Sequence, residues 1–386
     1  HNGLDAHWTR CLGMFAGNFE QAFRNQDTGV RLKFEYYDEA SADMERLAGE
    51  LAFRDDVYAV IGGLYSSNAS ILASQLTRTG KTFFILATSE ELVRAFASTG
   101  YLWALTETDI TQCEVLLSKV VNYGGKSVAL IAKDNDIYGK TFLDWFAFQA
   151  KELGLENRGT FAYDASTLDN VAREALQSGA DYLLCVPSEI DEIAPMLRTY
   201  AIRPRTEGAA PRLLFSDTAY GTDVLTTYGQ DAEGIEGVAF GADPESGFDV
   251  SYRTFFSISP TTGEAQLYDA AMLVGYAAWY QQLHPEASLQ QALRTIVSGE
   301  ELNMGSWTGE DMGLVIDALA RGDSPYVRGA SGQLRFDSKI FTNVLATTYY
   351  NYKVYDGQYI NLDYNTSDGG NRTDTKQPRT NQKTTQ

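Results

Sequence analysis

The chain has little histidine, proline and cysteine: three His, nine Pro and three Cys in 386 residues. The cysteines, Cys11, Cys113 and Cys185, lie far apart without C-x-x-C spacing, so we predict buried thiols and no metal site built on cysteine. No histidine combines with Cys or carboxylates at zinc-ligand spacing. A serine nucleophile at Ser66 or Ser67 would need a general base, which the sequence does not offer. We therefore predict no enzyme activity and no cofactor.

Positive charge is also scarce. The sequence holds 31 Lys and Arg against 51 Asp and Glu, a formal net charge of -20. No basic block is long enough to follow a phosphate backbone, which excludes nucleic acid and anionic membrane surfaces as predicted partners. The longest nearly apolar run, at about 270–280, is too short to span a bilayer. No signal-peptide pattern opens the sequence, so we expect any such segment to have been removed or to lie outside it.

Strand-like runs alternate with helical patterns between Arg31 and Gly241. These runs are RLKFEYY, YAVIGG, TFFILA, YLWAL, SVALIAK, RGTFAYD, DYLLCVP, RLLFSD and GVAFGA. Such alternation predicts an α/β fold with parallel sheets flanked by helices. A length of 386 residues with 44% hydrophobic residues predicts two lobes.

The two ends of the sequence depart from this alternation. HWTRCLGMFAGNFEQAF predicts a helix with no strand ahead of it, so either a first strand is missing from the sequence or the fold begins unusually. Near the other end, FTNVLATTYYNYKVYDGQYINL predicts a hairpin whose turn is Asp356-Gly357. Residues 364–386 contain almost no apolar side chain and are expected to form a disordered polar tail.

Short polar residues follow two of the predicted strands. Ser66, Ser67 and Asn68 come after YAVIGG, and Thr88 and Ser89 come after TFFILA. In an open parallel sheet, ligands bind at the carboxyl ends of the strands. Hydroxyl groups beside helix N-termini suit an anionic ligand group, since free N–H donors and the helix dipole point the same way. The alternative for Ser67, Asn68 and Ser89 is that they only cap helices.

Strand ends in the second half of the sequence carry a different set of residues. Tyr138 lies in the loop after SVALIAK, residues 187–189 follow DYLLCV, and Asp217 follows RLLFS. A carboxylate at such a position can hold a ligand ammonium through a charge-assisted hydrogen bond. An N-cap or turn role for Asp217 is an equal alternative.

The order of these motifs resembles the type I periplasmic binding proteins, specifically the branched-chain amino acid (Leu/Ile/Val) binding family of ABC transporter receptors. The resemblance covers about residues 12–362. It rests on five segments: VYAVIGGLYSSNASILASQL, FFILATSEELV, YLWALTETDITQ, SVALIAKDNDIYGKTFLDWF and GASGQLRFD. It implies two doubly wound lobes joined by a hinge of three crossings, near residues 106–109, 241–245 and 329–334, and closing around a ligand. Lobe one would comprise 1–108 and 246–328, and lobe two 109–245 and 329–363.

The resemblance also implies roles for individual residues. Ser66, Ala87 and Thr88 would bind the α-carboxylate of an amino acid, Tyr138 would cover the ligand, and Asp217 would bind its ammonium. Ser67 is an additional candidate. The sequence departs from the family where residues 187–189 replace a usual aromatic residue, and Glu189 there favours a cationic or polyhydroxylated ligand.

Two functions share this fold, and the sequence leaves the choice open. The first is an extracytoplasmic solute receptor that delivers a small polar ligand, an amino acid or related metabolite, to a membrane permease. The second is the ligand-sensing domain of a signalling receptor or regulator with its own partner. A periplasmic or cell-envelope location follows from the resemblance, with lipid anchoring left open. A neighbouring permease gene would favour transport, and a fused or adjacent kinase would favour sensing.

Overall fold

A computed structural model describes residues 2–40, 42–202, 210–301, 306–336 and 343–367. Its helices are α1 (Asn2–Asn25), α2 (Met44–Phe53), α3 (Ser66–Leu76), α4 (Glu90–Phe96), α5 (Asp109–Asn122), α6 (Ile137–Glu152), α7 (Leu168–Leu176), α8 (Ile193–Ile202), α9 (Thr222–Tyr228), α10 (Phe248–Phe256), α11 (Glu264–Leu283), α12 (Leu289–Ile296) and α13 (Gly309–Ala320). Its strands are β1 (Ala59–Gly62), β2 (Thr82–Ile85), β3 (Leu102–Ala104), β4 (Ser127–Lys133), β5 (Glu156–Tyr163), β6 (Tyr182–Val186), β7 (Arg212–Phe215), β8 (Glu236–Phe240), β9 (Glu300–Glu301), β10 (Pro325–Tyr326), β11 (Arg328–Gly329), β12 (Gly332–Gln333), β13 (Thr348–Tyr355) and β14 (Gln358–Thr366). None of these helices combines the length and the apolar character that a bilayer crossing requires.

A seven-stranded sheet forms one half of the molecule, in the order β14-β13-β8-β7-β6-β4-β5. Strands β4 to β8 run parallel, and the hairpin of β13 and β14 adds antiparallel to β8. The predicted hairpin is confirmed, with Tyr355 opposite Gln358 across the turn. Asp356 and Gly357 both have positive φ, as a two-residue type I′ turn requires.

A three-stranded parallel sheet, β1-β2-β3, organises the other half. Because neighbouring side chains on a strand point to opposite faces, Phe84, Leu86 and Trp103 pack on one side of the sheet. Phe83 and Ile85 pack on the other side, against α2 and α3. Helices α1, α11 and α13 cover the first side.

The hydrophobic cores show where the chain passes from one half to the other. Residues 11–105 and 242–344 supply the cores beside the three-stranded sheet, and residues 113–240 and 349–354 supply those beside the seven-stranded sheet. The first two passages lie between Leu105 and Cys113 and between Phe240 and Ala242. The third lies between Val344 and Tyr349, because Val344 still packs with the first half.

Two predicted elements differ from the structure. RLKFEYY forms no strand: Leu32 and Phe34 pack against the core while Lys33 and Glu35 are exposed, so the alternation is present without a ladder. A ladder needs a neighbouring strand, and β1 pairs only with β2 within the described residues. The polar tail was also predicted to begin too early, since β14 continues to Thr366 through its pairing with β13. Residues 368–386 lie outside the described part of the chain.

Candidate functional site

A cleft of about 990 Å³ lies between the two halves of the molecule. It opens at the carboxyl ends of β1, β2, β4, β6 and β7, which is where parallel sheets place their ligands. Six of the seven predicted site residues line it: Ser66, Ser67, Thr88, Tyr138, Glu189 and Asp217. The seventh, Ala87, is not part of the lining, because its side chain is buried in the core between the sheet and α3.

The wall from the first half presents hydroxyl groups at a helix N-terminus. Ser66 is the first residue of α3 and only 5% exposed, yet its hydroxyl has no hydrogen-bond partner among the described residues. Within the described ranges, no side chain caps α3. The first N–H groups of a helix lack intrahelical acceptors, so this end can receive an anionic ligand group. Thr88 lies on the same wall and is also buried.

Ser89 has a different place from its neighbour Thr88. Its hydroxyl oxygen accepts from the backbone N–H of Leu92 at 3.4 Å near the start of α4, and it donates to the carbonyl of Ile137 at 2.8 Å. Ile137 belongs to α6 in the second half, so Ser89 joins the two halves beside the cleft. The capping alternative for Ser89 is therefore supported.

Further contacts join the halves around the cleft. Lys140 of α6 pairs with Glu91 of α4 at 2.9 Å, with both side chains exposed. On the other side, Thr222 of α9 lies 2.8 Å from Nε2 of His7 in α1. These polar contacts can break without exposing a large apolar surface, which suits an interface that opens and closes.

Tyr138 and Asp217 form the central pair of the opposite wall. The Tyr138 hydroxyl donates to Oδ1 of Asp217 at 2.5 Å, and Tyr138 itself is 8% exposed. Asp136, the N-cap of α6, accepts from the backbone N–H groups of Tyr138 and Gly139 and so fixes the start of the helix. The start of α6 thereby holds the Tyr138 phenol beside the carboxyl group of Asp217.

Burial dominates the titration of this pair. It raises the pKa of Asp217 above its ordinary value, while the hydrogen bond from Tyr138 acts in the opposite direction. Burial also raises the pKa of Asp109 at the start of α5 well above its ordinary value, and the nearby Asp217 raises it further. Burial therefore opposes the ionisation of both carboxyl groups, and a cationic ligand group beside Asp217 would favour its ionised form.

Glu189 lies at the cleft but has a partner of its own. Its Oε1 is 3.5 Å from the Lys133 ammonium, which also contacts Glu192 at 2.7 Å. The Glu189 side chain is 63% exposed, so this carboxylate is at the rim of the cleft. Its neighbour Ser188 donates to Asp136 at 2.7 Å and joins the loops after β4 and β6.

Sequence reasoning missed several lining residues, chiefly Trp8, Asp38, Glu39 and Asp223. Asp38 and Glu39 come directly after RLKFEYY, so they occupy the same position relative to a strand-like run as the residues that the sequence did predict. Applying the strand-end rule to this run as well would have found both. Asp223 lies at the beginning of α9, six residues beyond Asp217. Trp8 reaches the cleft from α1, and no sequence signal marks it.

The Glu39 carboxylate contacts N–H groups of the loop after β1 and of the first turn of α3. Its Oε1 accepts from the Gly63 N–H at 2.6 Å, and its Oε2 lies 3.4 Å from the Asn68 amide. Burial raises the pKa of Glu39, and the Gly63 N–H lowers it by a smaller amount. Asn68 therefore positions a carboxylate of the protein. Among the described residues, no group of three or more His, Cys, Asp or Glu side chains is arranged to hold a metal ion.

Comparison with known families is decisive at this point. A family model described as periplasmic binding protein matches residues 19–331. The chain belongs to the periplasmic binding protein family. Its members are binding proteins and not enzymes, and they are typically extracytoplasmic. A search among curated proteins finds no match.

Solved structures with the same fold include solute-binding proteins of ABC transporters. A solute-binding protein from R. palustris in complex with 4-hydroxybenzoate has a TM-score of 0.70 at 17% identity, over 96% of each chain. A leucine binding protein from Thermotoga maritima has a TM-score of 0.68 at 15% identity, over 91% of this chain and 93% of that chain. A branched-chain amino acid binding protein from Streptococcus pneumoniae, in complex with isoleucine, has a TM-score of 0.64 at 18% identity, over 94% and 95%.

The solved structures confirm the type I periplasmic binding fold, and the family model confirms the predicted membership of the periplasmic binding proteins. At such low identity the solved structures establish the fold and not the ligand. One of the three was solved with an aromatic acid and another with an amino acid. The ligand of this chain must therefore be inferred from the residues of its own cleft.

Proposed function

We propose that this protein is an extracytoplasmic solute receptor that closes around a small polar ligand, an amino acid or related metabolite, for ABC-type uptake. The observation that carries the proposal is the cleft itself. One wall has a free hydroxyl and an uncapped helix start at Ser66, and the other has the Tyr138–Asp217 pair. These are complementary to the carboxylate and the ammonium of an amino acid.

The two halves would act as lobes that move about the three chain passages. We assign 1–108 and 246–328 to lobe one and 109–245 to lobe two, with residues 349–363 completing the sheet of lobe two. The core contacts of Leu334 and Phe336 support moving residues 329–344 to lobe one. A membrane permease would recognise the closed form, and the periplasm or cell envelope would be its location.

A ligand screen followed by thermal unfolding tests the proposal. The panel contains amino acids, amides, polyamines, nucleosides, sugars and aromatic acids. A ligand present at 100 times its Kd adds about 2.7 kcal/mol to the folded state, enough for a shift of several degrees in Tm. The absence of any shift across the panel, with protein shown to be free of bound ligand, would contradict the proposal.

A double variant, Ser66→Ala with Thr88→Ala, tests the predicted binding residues. We expect about 100-fold weaker binding of the ligand found in the screen, since each hydrogen bond to a charged group contributes about 1.5 kcal/mol or more. Ser74→Ala is the matched control, because Ser74 is also on α3 but its hydroxyl bonds to Ile71 away from the cleft. Unchanged affinity in the double variant, measured by calorimetry, would show that these hydroxyls do not bind the ligand.

A further inference from the structure

The charge of the cleft is unbalanced. Seven carboxylates line it, and the described lining contains no Lys, Arg or His. The seven are Asp38, Glu39, Asp136, Glu189, Asp191, Asp217 and Asp223. A neutral amino acid brings one positive and one negative charge and so leaves this imbalance as it is. A ligand with additional positive charge would reduce it.

Part of the negative charge is already compensated inside the protein. Glu189 has Lys133, and Asp136 accepts two backbone N–H groups and the Ser188 hydroxyl. In contrast, no Lys or Arg forms an ion pair with Glu39, Asp217 or Asp223 among the described residues. These three carboxylates therefore have no cationic partner, although Glu39 accepts from the Gly63 N–H and Asp217 accepts from the Tyr138 hydroxyl.

Three carboxylates share the cleft lining with Tyr65, the residue before α3. Burial raises the pKa of the Tyr65 phenol, and then Asp223, Glu39 and Glu189 raise it further. Glu39 comes from the first half and the other two from the second, so the negative charge surrounds the cleft from both sides. The lining also includes aromatic side chains, among them Trp8, Tyr37, Tyr65 and Tyr220. Carboxylates together with aromatic faces are the surroundings that ammonium and guanidinium groups prefer in proteins.

The N-terminus of α3 gives a second, independent reason to place a ligand in the cleft. Ser66 is only 5% exposed and lines the cleft, and its hydroxyl has no hydrogen-bond partner in the described part of the chain. This hydroxyl can bind an acceptor group of a ligand, and the carboxylates named above line the same cleft.

We propose that the ligand is an organic cation whose ammonium or guanidinium group lies between Glu39, Asp223 and Tyr65, while any carboxylate it carries meets Ser66. The inference rests on the proposed solute-receptor function and specifies its ligand class. It separates this protein from receptors for aliphatic amino acids, which bring no positive charge beyond the α-ammonium, and from receptors for benzoates, which bring none.

Calorimetric titration with matched ligands tests the inference. Arginine is compared with citrulline, its neutral analogue, and with agmatine, which keeps the guanidinium and lacks the carboxylate. Leucine and 4-hydroxybenzoate complete the set. We expect arginine or agmatine to bind at least tenfold more tightly than citrulline. Preference for arginine over agmatine identifies a cationic amino acid, and equal or tighter binding of agmatine identifies an amine; both support the cationic class.

The opposite outcomes are distinguishable. If citrulline, leucine or 4-hydroxybenzoate binds more tightly than every cation, the inference is overturned and the receptor function stands. If none of these ligands and none of the wider panel binds, both are overturned.

Asp223→Asn tests where the cationic group of the ligand lies. The Asp223 carboxylate makes no hydrogen bond within the described residues, so the substitution should leave the fold intact. We expect at least tenfold weaker binding of the preferred cation, and a weaker dependence of affinity on salt. Asp169→Asn, an exposed position on α7 outside the cleft, changes the net charge equally and should leave affinity unchanged. Equal affinity in both variants would remove Asp223 from the proposed site.

Discussion

The two walls of the cleft differ in the chemistry that they offer to a ligand. The first-half wall presents Ser66, Thr88 and the uncapped start of α3, whereas the second-half wall presents Tyr138 with Asp217 and most of the carboxylates. An amino acid would bind with its carboxylate toward Ser66 and its α-ammonium toward Asp217. Such a ligand would contact both walls at once and would stabilise the closed form that we propose over an open one.

The largest effect on ligand affinity is expected from a substitution in the Tyr138–Asp217 pair of the second-half wall. Asp217→Asn removes the carboxylate that we propose to bind the ligand's α-ammonium and keeps the size of the side chain. We expect affinity to fall by about 30-fold or more, since truncating one partner of a buried charge pair costs about 2–5 kcal/mol. Calorimetry with the ligand from the screen measures the loss.

Tyr138→Phe is the matched control for this substitution. It removes the hydrogen bond to Asp217 and leaves the carboxylate in place. A smaller loss in Tyr138→Phe than in Asp217→Asn would confirm that the charge is the dominant contribution. Equal losses would show that the pair acts as a hydrogen-bonded unit and would weaken the assignment of a cation to Asp217.

The pH dependence of binding sharpens the comparison between the walls. Burial raises the pKa of Asp217, so the empty protein retains that proton above the ordinary value of 3.8. A cation beside Asp217 favours its ionised form, and binding therefore releases a proton. We expect affinity to rise with pH through the raised pKa and then to level off. Asp217→Asn should remove this part of the profile, whereas Ser66→Ala should lower affinity and keep its shape.

The same shift has a consequence for the stability of the empty protein. A carboxyl group whose pKa is higher in the folded than in the unfolded state binds protons more strongly when folded. Its stabilising contribution is present at low pH and is lost as pH rises from 3.8 through the raised pKa. The extra stability that the ligand gives should therefore increase over the same window, which unfolding measurements with and without ligand can check. If the stability that the ligand adds does not change with pH, Asp217 does not titrate at the ligand site.

The walls also differ in how far the sequence predicted them. Ser66, Thr88, Tyr138 and Asp217 come after clear strand patterns, and the carboxyl-end rule places them in one cleft. Ala87 shows the limit of this rule, since the face to which a residue points depends on register within the loop. The hairpin turn at Asp356 was predictable because turn-forming residues and strand alternation are local features of the sequence. The strand ends that carry the candidate site residues are local features in the same sense.

The features that the sequence did not predict depend on distant contacts. RLKFEYY has the alternation of a strand, but a ladder requires a neighbour that no local pattern reveals. Trp8 reaches the cleft only because α1 packs against α11 and α13 and approaches α9. Glu39 and Asp223 likewise share the cleft lining with Tyr65 only because the two halves pack together, and their separation along the sequence hides this.

The smallest effect is expected where the walls meet outside the ligand. Ser89→Ala removes the 2.8 Å hydrogen bond from the first half to Ile137 in the second. One such bond contributes about 1 kcal/mol, so we expect about fivefold weaker ligand binding if the bond forms on closure. Thr77→Ala is the matched control, because its buried hydroxyl bonds to Ala73 within the first half. It should lower Tm and leave affinity unchanged. If Ser89→Ala also lowers only Tm, Ser89 is a helix cap whose contact with Ile137 does not contribute to closure.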